Sequence, residues 1–111
     1  MGMMQRRKGA AGEREFAGLC RLYGLDVRRG GQLYQKGSEI ADCVGLDGVH
    51  IECKRAERLN VQAAMEQATK DALDAGRDEM PIVAHRRNRK GWLVTMHATD
   101  FLKLYKGAAL Q

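Results

Sequence analysis

Ile40-Ala41-Asp42-Cys43-Val44-Gly45-Leu46-Asp47-Gly48-Val49-His50-Ile51-Glu52-Cys53-Lys54-Arg55 is the stretch whose reading decides the fold. Two apolar runs, 40–46 and 49–55, meet at Asp47-Gly48, a strong hairpin turn signal because glycine accepts the positive φ that tight turns need. Along the second run, alternation sends Val49, Ile51 and Cys53 to one face and His50, Glu52 and Lys54 to the other. The hairpin therefore predicts one apolar face and one face carrying chemistry.

Upstream, residues 11–24 predict a helix, with Phe16, Leu19, Cys20 and Tyr23 at spacings of three and four and Gly24 as its stop. Leu25 to Arg29 reads as a strand, and Gly30 to Ser38 as a polar loop. Downstream, Asn60 caps a second helix running to Ala75, whose Ala64, Ala68, Ala72 and Ala75 permit close packing on a sheet. Gly76 closes it. Pro81 opens the short buried strand Ile82-Val83-Ala84, and the basic turn Arg86-Arg87-Asn88-Arg89-Lys90-Gly91 leads to a last strand, Trp92 to Met96. Thr99 or Asp100 starts a short C-terminal helix through Tyr105. The order is helix, three strands, helix, two strands, helix, which predicts an α/β fold with a mixed central sheet flanked by helices.

The chain has 111 residues, enough for one hydrophobic core and too few for two. With one proline and no linker or repeat, residues 1–111 are expected to form a single domain, with 1–7 as a flexible basic arm. The 44% hydrophobic and 30% charged content excludes a disordered or fibrous chain. No apolar run is long enough to span a membrane and the start lacks a signal peptide's apolar stretch, so a cytoplasmic protein is expected. Gly2 does not mark myristoylation, because Arg6 stands where that motif needs Ser or Thr. Cys20, Cys43 and Cys53 sit in apolar surroundings and are expected to be reduced core thiols. A zinc site from Cys43, His50 and Cys53 is the sharper alternative. It lacks a Cys-x-x-Cys pair and would draw ligands from opposite faces of one strand.

Charge is unevenly placed. Residues 1–36 carry eight Lys/Arg against three Asp/Glu, 37–81 carry five against ten, and 82–111 carry six against one. Two basic ends around an acidic middle can present phosphate-binding surfaces beside carboxylates that hold a cation. An unevenly charged solvated surface accounts for the totals equally well.

Glu52 and Lys54 share a face, so a carboxylate able to ligate a hard cation stands beside an ammonium able to steady a phosphate or water. On its own this pattern is most often a solvated ion pair. Asp42 raises its weight, because a carboxylate flanked by Ile40, Ala41, Cys43 and Val44 needs a partner or a metal. An ion pair of Asp42 with Lys54 is the bland alternative. Glu13 falls in register with Phe16, Ala17 and Cys20 at the edge of the apolar stripe, while Arg14 and Glu15 point more outward. As a residue of the first helical turn, Glu13 also answers the helix dipole without any site. Gln67 either faces the sheet and reaches the site or is a polar surface residue. There is no P-loop, no G-x-S-x-G, no G-x-G-x-x-G and no H-x-x-x-H, and His85 reads as a phosphate contact or strand-end residue.

Taken together, Lys8-Gly9-Ala10-Ala11-Gly12-Glu13-Arg14-Glu15, Ala41-Asp42, Glu52-Cys53-Lys54 and Glu66-Gln67-Ala68 resemble the PD-(D/E)xK nuclease superfamily, in particular small archaeal-type and phage Holliday junction resolvases. The resemblance runs from Lys8 to Phe101. It implies a restriction-endonuclease-like αβββαβ core, a two-fold homodimer, cleavage of branched or duplex DNA, and Mg²⁺ as cofactor with Mn²⁺ able to substitute. By position it implies that Asp42, Glu52 and Glu13 are metal ligands, that Lys54 is the catalytic lysine, and that Gln67 assists from the following helix. Ala41 stands where the motif has proline, a change of backbone shape and not of chemistry. Much of the C-terminal extension of larger relatives is missing, which bears on junction specificity. Arg6, Arg7, Lys8, Arg28, Arg29, Arg86, Arg87, Arg89 and Lys90 are the candidate DNA-phosphate contacts. The function expected is structure-selective DNA endonuclease; a less selective flap, nick or duplex nuclease of phage or mobile-element DNA metabolism is the alternative within enzymes. A non-catalytic DNA-binding module on the same fold is the alternative outside them.

Overall fold

A computed structural model describes the backbone of residues 3–30 and 41–109, and the side chains of 9–30 and 41–108. The elements are α1 (Met3–Leu22), β1 (Arg28–Arg29), β2 (Cys43–Val44), β3 (Val49–Arg55), α2 (Val61–Ala75), β4 (Met80–Arg86), β5 (Leu93–Met96) and α3 (Ala98–Ala109). They form one five-stranded sheet in the order β1-β2-β3-β4-β5. The β1/β2, β2/β3 and β4/β5 pairs are antiparallel, whereas β3 and β4 run parallel with α2 as the crossover. The expected α/β class with a mixed sheet is what the chain adopts.

Strand β3 occupies the middle of the sheet, and its alternation decides the two sides. Ile51 pairs with Cys43 and packs with Phe16, Ala17, Cys20, Val27, Ile82 and Ala84 in the core under α1. The opposite face meets α2, where Ala64, Met65 and Ala68 close on Val83. Alanines keep α2 close enough to the sheet to bury the β3 side chains between them.

Both main helices end as their sequences dictate. The Asn60 side chain accepts from the Ala63 N–H at 3.0 Å, and Gly76 takes φ 69° at the other end of α2. At the end of α1, Leu25 N–H reaches the Cys20 carbonyl at 3.1 Å and Gly24 N–H the Arg21 carbonyl at 3.0 Å, with Gly24 at φ 81°. That is a Schellman cap. Tyr23 falls beyond the helix and is exposed, so it leaves the apolar stripe in which its spacing placed it.

Several boundaries differ from the sequence reading. Helix α1 begins at Met3, so residues 3–7, expected as an arm, are helical in backbone. Small residues Gly9, Ala10, Ala11 and Gly12 gave no apolar periodicity to announce that turn. The strands expected at 25–29 and 40–46 shorten to two residues each, and Ile40 and the loop 31–38 lie outside the described residues. The hairpin turn is as expected: Val49 N–H bonds the Leu46 carbonyl at 3.1 Å, with Gly48 at φ 77° between them. Gly45 matters more. A Cβ there would stand 2.3 Å from the Asp26 carbonyl oxygen, so only glycine lets the end of β2 pass the chain entering β1.

Candidate active site

Asp42 sits in the bend just before β2, and its Oδ2 accepts the Cys53 N–H at 2.9 Å. That bond draws its carboxyl group across to β3, close enough to Glu52 for each carboxyl group to act on the protonation of the other. Two carboxyl groups this close disfavour a second negative charge. Burial, then the Glu52 charge, then hydrogen bonding with Glu52 push Asp42 up to about 7, with Glu13 adding to the effect and the Cys53 N–H opposing it. Glu52 moves the other way. Burial works to raise it, but the hydrogen bonds from His50 and Asp42 and the charges of His50 and Lys54 outweigh this and hold it below the usual carboxylate range. The proton therefore resides on Asp42, and Glu52 carries the charge.

His50 is the residue that sequence reasoning undervalued. It is fully buried, and its Nε2 lies 2.8 Å from Glu52 Oε1. Its Nδ1 has no hydrogen bond and stands 3.8 Å from Glu79 Oε1. The bond to Glu52 pushes the imidazole up; burial opposes this, and the charges of Glu52, Glu79 and Asp71 add to the rise. Alternation had already placed His50 on the face of Glu52 and Lys54. What it could not show is that α2 would seal the ring from water.

Lys54 is half-buried two residues further along this face, close enough for its charge to lower Glu52. Its register partner on β4 is His85, whose Nε2 meets Thr95 Oγ1 at 2.8 Å and whose pKa is lowered by burial. Glu13 stands at the edge of the site. Its carboxylate takes the Arg29 Nε–H at 3.0 Å, and its charge reaches Asp42 and Cys53.

The Asp42 and Glu52 pair suits a divalent cation in place of the proton on Asp42, because clustered oxygen ligands with excess negative charge are what hard cations require. Among the described residues no three His, Cys, Asp or Glu side chains are arranged to hold an ion. The pair thus provides two oxygen ligands, and Glu13 stands at the edge of the site with one oxygen on Arg29. Gln67 is not brought in. It is exposed and donates to Asp71 at 2.9 Å, one helical turn on. The zinc alternative is likewise unsupported: Cys43 and Cys53 contact each other at 3.6 Å on the α1 face, away from His50, and all three cysteines are free thiols.

No family model and no curated protein sequence matches this chain. Among solved structures it is similar to Hjc, a Holliday junction resolvase from the archaeal hyperthermophile Archaeoglobus fulgidus. The TM-score is 0.57, with 21% identity over 78% of this chain and 74% of that one. The likeness is one of fold.

The candidate phosphate-binding residues divide sharply. Arg29 is held by Glu13, Arg28 by Asp26 at 3.2 Å, and Arg86 by Glu15 at 2.7 Å. Glu15, read from spacing as outward-facing, instead binds Arg86 and Arg55 together, the latter at 2.6 Å. The spacing misled because the β3 and β4 ends reach past the helix edge to meet it. Arg87, Arg89 and Lys90 are exposed and have no ion-pair partner among the described residues. The side chains of Arg6, Arg7 and Lys8 lie outside the described ones. No helix among the described residues is long and apolar enough to cross a membrane.

Proposed function

We propose that this chain is a divalent-metal-dependent DNA endonuclease that cuts branched DNA, with the four-way junction as its preferred substrate. The observation that carries the reading is the part-buried Asp42 and Glu52 carboxyl pair, fixed by the Cys53 N–H and by His50 and standing beside Lys54. A purely structural pair of carboxyls at that position would be costly to keep. The fold it shares with an archaeal Holliday junction resolvase supports the choice of substrate.

Asp42 and Glu52 would hold Mg²⁺, or Mn²⁺ in its place, with Glu13 contributing directly or through water. When bound, the ion supplies positive charge against the scissile phosphate and lowers the pKa of water. The Cys53 N–H holds Asp42 in position from one side, and His50 holds Glu52 from below. Asp42 must surrender its proton to serve. Lys54 then orients the phosphate or the attacking water and offsets the negative charge that grows on the phosphoryl oxygens. Hydrolysis is expected to leave 5′-phosphate and 3′-hydroxyl ends. Each chain offers one such centre, so paired cuts across a junction require a two-fold homodimer.

The test gives wild type, Asp42→Asn and Glu52→Gln a four-way junction, a flap, a linear duplex and a single strand, each with Mg²⁺ or EDTA. Wild type is expected to cut the junction in Mg²⁺ alone, and each variant to lose activity by a factor on the order of a hundred or more. Sedimentation of the wild type is expected to give a dimer. No cutting of any substrate by the folded wild type would refute the enzyme, and equal cutting of all four would refute the junction preference. Undiminished variants would move the active centre elsewhere.

A further inference from the structure

Beyond the carboxylate pair, the same face of the sheet opens at its far end into a cleft of about 570 Å³, between the start of α2 and the turn joining β4 to β5. Its apolar walls are Leu59, Val61, Trp92 and Leu93, and its rim carries Arg87 and Lys90. His85 lines it too, and His85 is the register partner of Lys54, so the cleft lies one strand from the candidate active site. An apolar slot holding an indole and rimmed by unpaired cations matches an unstacked nucleotide: a flat base for the walls and phosphates for the rim. Size agrees, because small-molecule pockets span roughly 300–1,000 Å³ and a nucleotide falls within that range. A paired duplex could meet the rim with its backbone but could not put a base between the walls.

We infer that this cleft receives a nucleotide unstacked from the DNA substrate, its base against Trp92 and Leu93 and its flanking phosphates on Arg87 and Lys90. The inference rests on the nuclease reading for its substrate class and adds how a branch is told from a plain duplex. Continuous stacking is interrupted where helices meet at a branch point, so a base there costs less to unstack than one within a uniform duplex.

Trp92 is the chain's one tryptophan; its ring packs on Phe16 and also lines the cleft, so a base-dependent change in its fluorescence reports on binding there. The full chain in EDTA, where no cutting occurs, is titrated with short duplexes carrying one unpaired adenine, one unpaired abasic site, or neither. The base-bearing DNA is expected to quench Trp92 and to bind roughly tenfold more tightly than its abasic counterpart. In Leu93→Asp that ratio is expected to fall towards one. Leu93 is 62% exposed, so this substitution leaves the core intact, and the wild-type quench is a readout that needs no variant. Equal quenching and affinity for all three DNAs would overturn the cleft assignment, as would an unchanged ratio in folded Leu93→Asp. Cutting in Mg²⁺ without a base-dependent quench would overturn the cleft and leave the nuclease standing. A base-dependent quench without cutting would do the reverse, and a chain that binds no DNA would overturn both.

Discussion

Asp42 and His50 both have pKa values raised by folding, and this has a measurable consequence in the metal-free protein. Between an unfolded value near 4 and a folded value of about 7, Asp42 binds more proton in the folded state, so stability falls as pH rises through that window. His50 acts in the same direction: its contribution is full below its unfolded value near 6.5 and is lost as pH climbs through the raised folded value. Glu52, lowered by folding, contributes above its unfolded value and loses that contribution only towards stronger acid. In EDTA the wild type should therefore melt at higher temperature at pH 5.5 than at pH 8. Asp42→Asn, which keeps the acceptor for the Cys53 N–H but has no charge to bury, should be more stable than wild type at pH 8. A gain of about 1 kcal/mol corresponds to roughly 4–8 °C for a domain of this size. Saturating Mg²⁺ should raise the wild-type midpoint at pH 8 and leave Asp42→Asn unmoved. Parallel melting curves for the two proteins across this pH range would show that Asp42 does not take up a proton on folding.

At the scale of elements, α1 is fastened to the sheet by Glu15, which grips Arg55 on β3 and Arg86 on β4. Gly12 makes the grip possible, because a Cβ there would come within 2.7 Å of Arg55 Cγ. Removing the carboxylate in Glu15→Ala leaves Arg86 without its ion pair and Arg55 with Asn88 alone, and the Nε atoms of both already lack partners. The expected loss is about 1–3 kcal/mol, less than for a fully buried pair because Glu15 remains 34% exposed. Urea denaturation measures it, and a loss no greater than that of Arg14→Ala would show that the clamp contributes nothing. The clamp was not legible in the sequence, for a physical reason: Glu15 lies off the helix's apolar stripe, and its partners are 40 and 71 positions away. What was legible is local. Period-two alternation in Val49–Arg55 placed Glu52 and Lys54 on one face, and the Asn60 and Gly76 caps bounded α2. His50 shared that legibility in direction only, since its burial depends on α2 arriving overhead. Gln67 failed because the alanines of α2, and not its glutamine, turn to the sheet.

For the whole molecule, a net charge of +5 overstates the cationic surface available to DNA. Arg28, Arg29, Arg55 and Arg86 each meet a carboxylate, whereas Arg87, Arg89 and Lys90 cluster as exposed cations without an ion-pair partner among the described residues in the turn after β4. Arg89 is held there at φ 63°, so the turn has a defined shape rather than a mere excess of charge. Under the proposed nuclease reading, each of Arg87, Arg89 and Lys90 that meets a phosphate releases counterion and adds about 0.9 to the slope of log affinity against log salt. Replacing all three by alanine should therefore flatten that slope for duplex DNA by roughly 2–3, with affinity in EDTA falling most at low salt. Arg29→Ala and Arg86→Ala should behave differently, lowering the melting temperature through the loss of their ion pairs while leaving the slope near its wild-type value. If the triple variant keeps the wild-type slope, the turn does not touch the backbone. If Arg29→Ala or Arg86→Ala flattens it instead, DNA binding pulls those arginines off Glu13 and Glu15, and Glu13 is thereby released towards Asp42.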